Sequence, residues 1–362
     1  MTVASPDTAL ASKRPRTATR LVFEEMLCRT VALGAQWTVA TADEVCTSGA
    51  IGEAGTQSVM TVDTVHKLWC AAKPLTALVA MDAFEAAGVE LDAAVGDVLG
   101  GTTPVNPEVG EVAVRDLLDH RACIRGLTIP EFLLASRRAR GALVASASVD
   151  SEARGAGRTR YSDLAAWVLL SEIARTATGR DADELLREWL HRRFGDVDLF
   201  GRMTREEFDG VRGRIGCYVS NLAGVARPWL TDRTFEFASE YSGFAFGGYG
   251  TTDALVAFGL EVLRSGRLDR VQALRRGPAD DVLLGRRCEF AGGFMVGLAD
   301  HGFGHAPGAG AVAHVGWMGN SFLLIDPDRQ VVAAAITNGI EDPTRLAEWR
   351  PRIVERMYSD AG

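Results

Sequence analysis

The sequence predicts an α/β (α+β) fold: a sheet built from both ends of the chain and flanked by helices, with a mainly helical domain inserted between them. Two patterns carry this. Strand-like patterns are confined to the ends, as alternation at 36–41 and 45–51 and as strand-like runs at 291–299, 311–317, 320–326 and 330–337, whereas helical periodicity dominates from about residue 70 to 265. The 362 residues, 47% of them apolar, are enough for one large or two ordinary domains. No repeat with a period of about 20–50 residues is present, so a solenoid is not expected.

Taken in order, residues 1–17 read as a flexible tail. Lys13, Arg14 and Arg16 are not followed by the apolar core of about 7–15 residues that a secretory signal needs, and an organellar transit segment is the alternative. Leu21, Val22, Met26, Leu27 and Val31 have helical spacing, predicting a helix over 18–33. The strands at 36–41 and 45–51 follow, joined by a short polar turn. Helices are predicted at 71–87 before Gly88, 112–120, 130–140, 162–178 before Gly179, 182–194 and 253–264. The four C-terminal strands come next, and 343–358 closes the chain as a helix. The expected division is therefore a sheet domain from 18–70 and 286–362 and a mainly helical domain from 71–285.

Composition excludes several functions. The 39 basic residues face 47 acidic ones, a net charge of −8, so a phosphate backbone meets a repulsive field and nucleic acid is not an expected partner. The longer apolar runs, 75–81 and 331–336, fall far short of the roughly 18–20 residues of a membrane helix, and no membrane partner is expected. Cysteines 28, 46, 70, 123, 217 and 288 lack the paired spacing of a zinc or redox site, which points to reduced thiols and a cytoplasmic location. Only Lys13, Lys67 and Lys73 are lysine, against 36 arginines. Arginine keeps its proton and lysine can surrender one, so a lysine beside a nucleophile is informative.

Lys73 has such a neighbour. In Trp69-Cys70-Ala71-Ala72-Lys73-Pro74, a proline inside a helix would collide with the carbonyl four residues back, so Pro74 belongs in a first turn and the helix should begin at about Cys70. That places the sulfur near unpaired amides at the positive end of the helix, with Lys73 one turn along. Both features predict thiolate character. A cysteine flanked by Leu68, Trp69, Ala71 and Ala72 is, on its own, more often a small buried hydrophobe. Ser162 or Asp163, opening a helix after Tyr161, reads alone as a cap. Gly316, in His314-Val315-Gly316-Trp317, marks either a bend or a close approach.

Cys70-x-x-Lys73, Tyr161-Ser162-Asp163 and His314-Val315-Gly316 stand in the order and approximate spacing of the active-site elements of serine β-lactamases and penicillin-binding proteins. The chain resembles that superfamily over roughly residues 20–358, in particular its class C-like branch of carboxylesterases, D-amino-acid peptidases and transesterases. Segments at 87–92, 114–120, 246–253, 325–328 and 337–339 are similar in style. The resemblance implies a β-lactamase-like fold with an antiparallel sheet. It also implies Cys70 as nucleophile, Lys73 as base, Tyr161 as proton carrier, and the amides of Cys70 and Trp317 as an oxyanion hole. Asp163, His314 and Gly316 would then contact substrate, with His314 lining the pocket in place of the family's lysine.

Two departures redirect the expected activity. Cysteine in place of serine gives a thioester intermediate, which favours transfer to an amine over hydrolysis. Asp163 in place of asparagine repels an anionic group, holds Lys73 protonated or attracts an amine. The expectation is an acyltransferase that loads Cys70 from an ester or thioester, with an acyl carrier protein among the candidate donors, and passes the acyl group to an amine or alcohol in natural-product biosynthesis. The alternatives are an esterase or amidase using the same residues, and a retired enzyme kept as a binding protein. No cofactor motif is found. His301, His305 and His314 lack the companions of a metal site, and Gly304 to Gly310 lacks the setting of a dinucleotide loop. Arg137, Arg138 and Arg140 read as a solvated helix face, and Lys67 as a surface residue.

Overall fold

Strand-forming sequence at the two ends of the chain closes into one eight-stranded antiparallel sheet. A computed structural model describes residues 17–55, 58–126, 145–221, 225–239, 243–245 and 248–362. The helix expected over 130–140, its three arginines and all but the last residue of the expected tail lie outside the described residues. The strands of the large sheet are β1 (Gly34–Thr41), β2 (Val45–Gly52), β3 (Ala279–Asp281), β4 (Arg286–Ala291), β5 (Phe294–Val296), β6 (Val312–Val315), β7 (Ser321–Asp326) and β8 (Val331–Thr337). Their spatial order is β3-β4-β5-β6-β7-β8-β1-β2. The N-terminal hairpin thus docks on the last strand, in register from Ala35 opposite Thr337 to Thr41 opposite Val331.

One strand prediction is corrected. The apolar run over 291–299 is a hairpin, with β4 starting earlier and the chain reversing at Gly292 and Gly293, both at positive φ. Such a conformation suits glycine. Gly293 also lacks room for a side chain, since a Cβ there would stand 2.5 Å from that of Ala77.

Principal helices are α1 (Ala18–Leu27), α2 (Lys73–Ala86), α3 (Ala165–Thr178), α4 (Ala182–Phe194), α5 (Thr252–Arg264) and α6 (Pro343–Ala361). The first helix stops short of its predicted end at residue 33, and the 112–120 helix shortens to Val114–Leu118. Both faces of the sheet are covered, which explains why β8 is apolar at nearly every position. Val331, Ala333 and Ala335 join a core with Phe23 of α1 and Ile353 of α6; Val332, Ala334 and Ile336 join another with Leu255 and Phe258 of α5 and most of α2. Helix α2 is buried almost all round, as expected of one lying between the sheet and the remaining helices. No helix among the described residues is long and apolar enough to cross a membrane.

Helix α5 approaches the sheet through Gly259, where a Cβ would lie 2.4 Å from Cγ1 of Val332. Gly259→Ala is therefore expected to lower unfolding stability by about 1–3 kcal/mol in denaturant titration. Gly210→Ala, in an open helical position, should be neutral or stabilising by about 0.4–1 kcal/mol. Equal effects at the two sites would contradict the packing described.

Candidate active site

The chain enters the site along a short strand, His66–Lys67, paired with Tyr249–Gly250. A 3-10 turn, Trp69–Ala72, then leads into α2, with Pro74 at its second position, close to where the proline predicted a helix start. Trp69 has φ +52°, a left-handed conformation costly for a bulky residue and kept only where surroundings over-determine it. Its ring packs against Trp317 (5.2 Å between centroids), Tyr218 (6.1 Å) and Trp229 (6.4 Å). Lys67 is not the surface residue predicted: it is buried, with Nζ 4.3 Å from the Phe237 ring centroid and 5.3 Å from that of Trp69. The backbone is fixed as well, since Leu68 N–H donates to Gly248 O (2.9 Å) and Leu68 O accepts from Ser321 Oγ (3.0 Å).

Lys73 is fully buried. Its Nζ donates to the backbone carbonyls of Asp163 (2.8 Å) and Ala245, and lies 4.5 Å from the Trp167 ring centroid. Burial lowers its pKa, against the opposing pull of Cys70 and Asp163. Cys70 Sγ donates to Asp163 Oδ1 (3.7 Å), and Tyr161 lines the same cavity. The expected thiolate is corrected. Burial, the largest influence, pushes the thiol up to about 11; the Lys73 charge works against this rise and the Asp163 carboxylate adds to it. Position at a helix head does not outweigh desolvation. Burial also raises the Asp163 carboxyl and puts the Tyr161 phenol well above its ordinary value.

Tyr161, Ser162 and Asp163 precede α3, which begins at Ala165 and not at 162 as predicted. Asp281 on β3 accepts from Tyr161 N–H (2.7 Å), and Nδ1 of His120 accepts from Ser162 N–H (3.0 Å). Sequence reasoning assigned neither residue a site role. Ser162 Oγ accepts from Ala166 N–H (3.1 Å), in keeping with its reading as a cap.

On the facing side, β6 is followed by a second 3-10 turn, Trp317–Gly319, which touches the Trp69–Ala72 turn. Gly316 is required by close packing: a Cβ there would stand 2.0 Å from Ser321 Oγ and 3.0 Å from Leu68 O. His314, expected to line the pocket, instead sits fully buried behind it. Its Nδ1 is 3.0 Å from Val315 O and its ring centroid 6.1 Å from that of Tyr161. Burial drops it to about 3, so it is neutral.

A cavity of about 470 Å³ opens onto Cys70, Tyr161, Asp163, Gly316 and Trp317. Cys70, although only 3% exposed, thus has a face on open space. A roomier groove of about 640 Å³ between α4 and the 206–211 region holds arginines paired with acids, Arg187 with Glu207 and Arg202 with Asp183, and no nucleophile. Among the described residues no cluster could hold a metal ion. All six cysteines are free.

No curated protein matches the sequence. Solved structures do. A penicillin-binding protein homolog from Caulobacter crescentus is 24% identical, with 95% of this chain and 96% of that one covered and a TM-score of 0.73. EstCE1, described as a hydrolase with promiscuous acyltransferase activity, is 17% identical over 94% and 97%, with a TM-score of 0.74. A mutant of simvastatin synthase (LovD) from Aspergillus terreus is 16% identical over 94% of each chain, with a TM-score of 0.70. At these identities the likeness is one of fold. The family itself follows from sequence: the Beta-lactamase family model matches residues 20–357, almost the whole described chain, and the protein belongs to that family.

Proposed function

We propose that the protein is an acyltransferase with a cysteine nucleophile, loading Cys70 from an ester or thioester and passing the acyl group to an amine or alcohol. The observation that carries this is the meeting of Cys70, Tyr161 and Asp163 at one cavity wall, with the sulfur against the Asp163 carboxylate and Lys73 buried beneath, bonded to the Asp163 carbonyl. Similarity in fold to EstCE1 and to simvastatin synthase supports acyl transfer and a role in small-molecule biosynthesis.

A high thiol pKa means that the proton leaves as the carbonyl is attacked. Lys73 in its neutral form can still donate two N–H groups to the carbonyls of Asp163 and Ala245, leaving its lone pair for the thiol proton. As the S–C bond forms, negative charge collects on the carbonyl oxygen. The amides of Cys70 and Trp317, each at the start of a 3-10 turn, are assigned to that oxygen. Tyr161 passes a proton to the leaving oxygen or sulfur, whose bond to the acyl carbon breaks. An incoming amine loses its proton through the same groups and takes the acyl carbon, and the thiol is restored. Asp163 favours a cationic amine at the mouth of the site. Hydrolysis by the same residues is the competing reading, favoured by the fold shared with a family VIII carboxylesterase and a D-amino acid amidase.

Intact-mass measurement with a panel of acyl esters and thioesters should show a single acyl adduct on Cys70; an adduct elsewhere, or none, would remove the proposal. Lys73→Ala should slow acylation by about 10²–10⁴-fold, and a change below threefold would exclude Lys73 as the base. With amines present, product should partition toward amide, and Cys70→Ser should move it toward acid; water consuming the acyl-enzyme whatever amine is offered identifies a hydrolase. Alkylation of Cys70, followed by peptide mass analysis, should quicken about tenfold per pH unit from 7 to 10. A plateau near neutrality would mean a preformed thiolate.

A further inference from the structure

Two arginines line the cavity that opens onto Cys70: Arg286, at the start of β4, and Arg350, on α6. Neither forms an ion pair among the described residues, whereas other arginines do; Arg275 pairs with Glu289 (2.8 Å) and Arg276 with Asp116 and Asp119 (2.7 and 2.9 Å). Arg350 is 6% exposed. Its Nη1 donates to His301 O (3.0 Å), its Nε is buried without a partner, and its guanidinium lies 5.4 Å from the Phe303 ring centroid. Burial and the nearby Arg286 charge lower its pKa to about 10, which leaves it protonated at neutral pH. A buried guanidinium without a carboxylate is costly in a folded protein. In a chain of net charge −8, a buried guanidinium and an exposed one in one cavity, neither in an ion pair, make a local exception.

The intervening walls are apolar, from Leu283, Leu284, Met295 and Met318, and the one carboxylate lining the cavity, Asp163, stands beside the sulfur. Asp163 repels an anion at the reacting centre, whereas the arginines attract one elsewhere in the same space. We infer that the acyl donor carries an anionic group, a carboxylate or a phosphate, held by Arg286 and Arg350 while an apolar stretch of the donor crosses the cavity to Cys70. Guanidinium forks match both oxyanions. The inference deepens the acyl-transfer reading above and rests on it for the identity of the donor.

Two matched pairs test it on the full chain: mono-p-nitrophenyl glutarate against p-nitrophenyl valerate for the carboxylate, and butyryl-phosphopantetheine against butyryl-pantetheine for the phosphate. In at least one pair the anionic member should acylate Cys70 with kcat/KM higher by about tenfold to a hundredfold. Arg286→Gln should bring that ratio close to one, and Arg286→Glu should invert it. Equal rates within both pairs would overturn the inference and leave the acyltransferase reading intact. If no donor acylates Cys70, that reading falls, and binding decides the anion site separately. Calorimetry on Cys70→Ala should then show glutarate or phosphopantetheine bound and weakened about tenfold by Arg286→Gln, whereas no binding would overturn the inference. Arg286 is exposed, so its variants are expected to fold; buried Arg350 is left unaltered for that reason.

Discussion

The burial of one lysine organises this site. An ammonium removed from water is unstable unless its protons are received, and Lys73 finds receivers in two backbone carbonyls, from Asp163 and Ala245, with Trp167 beside it. Those carbonyls belong to separate segments of the chain, so satisfying the lysine also fixes where the 161–163 segment and the 245 region stand relative to α2. The same burial disfavours charge on every group nearby. Thiol, phenol and carboxyl are all raised, and the two amine states of Lys73 are brought closer in energy.

Replacement of a hydroxyl nucleophile by a thiol changes the chemistry less through acidity than intuition suggests. A free thiol is more acidic than an alcohol by many orders of magnitude, but this one is desolvated and faces a carboxylate. It keeps the requirement for a base that the hydroxyl would have had. In the proposed reaction, what sulfur alters is the intermediate, because a thioester yields more readily to nitrogen nucleophiles.

Much of the fold was legible because its signals are local. The alternation of 36–41 and 45–51, the apolar run at 330–337, Pro74 near the head of α2 and the glycine after α3 each depend on nearby residues alone. That the segments carrying Cys70, Lys73 and Tyr161 come together was legible through short ordered motifs. Three features were not. The thiol's resting state depends on burial, which position in a helix cannot report. His314 occupies the expected strand, but which side of the sheet edge its ring takes is set by packing with Tyr161 and Phe290. Arg286 and Arg350 lie 64 positions apart in a chain with 36 arginines, and what marks them is the lack of a partner, a property of three dimensions.

The sheet has a bearing on how the molecule is made. β1 is synthesised long before its neighbour β8, and the first helix is tied through Ala18 and Thr19 N–H to Asp360. Ser321 and Trp317, which fasten the Trp69–Ala72 turn, also follow it by more than two hundred residues. A chain that stops before Trp317 therefore possesses the Cys70 thiol but not its setting, which assembles only once β8 has been made.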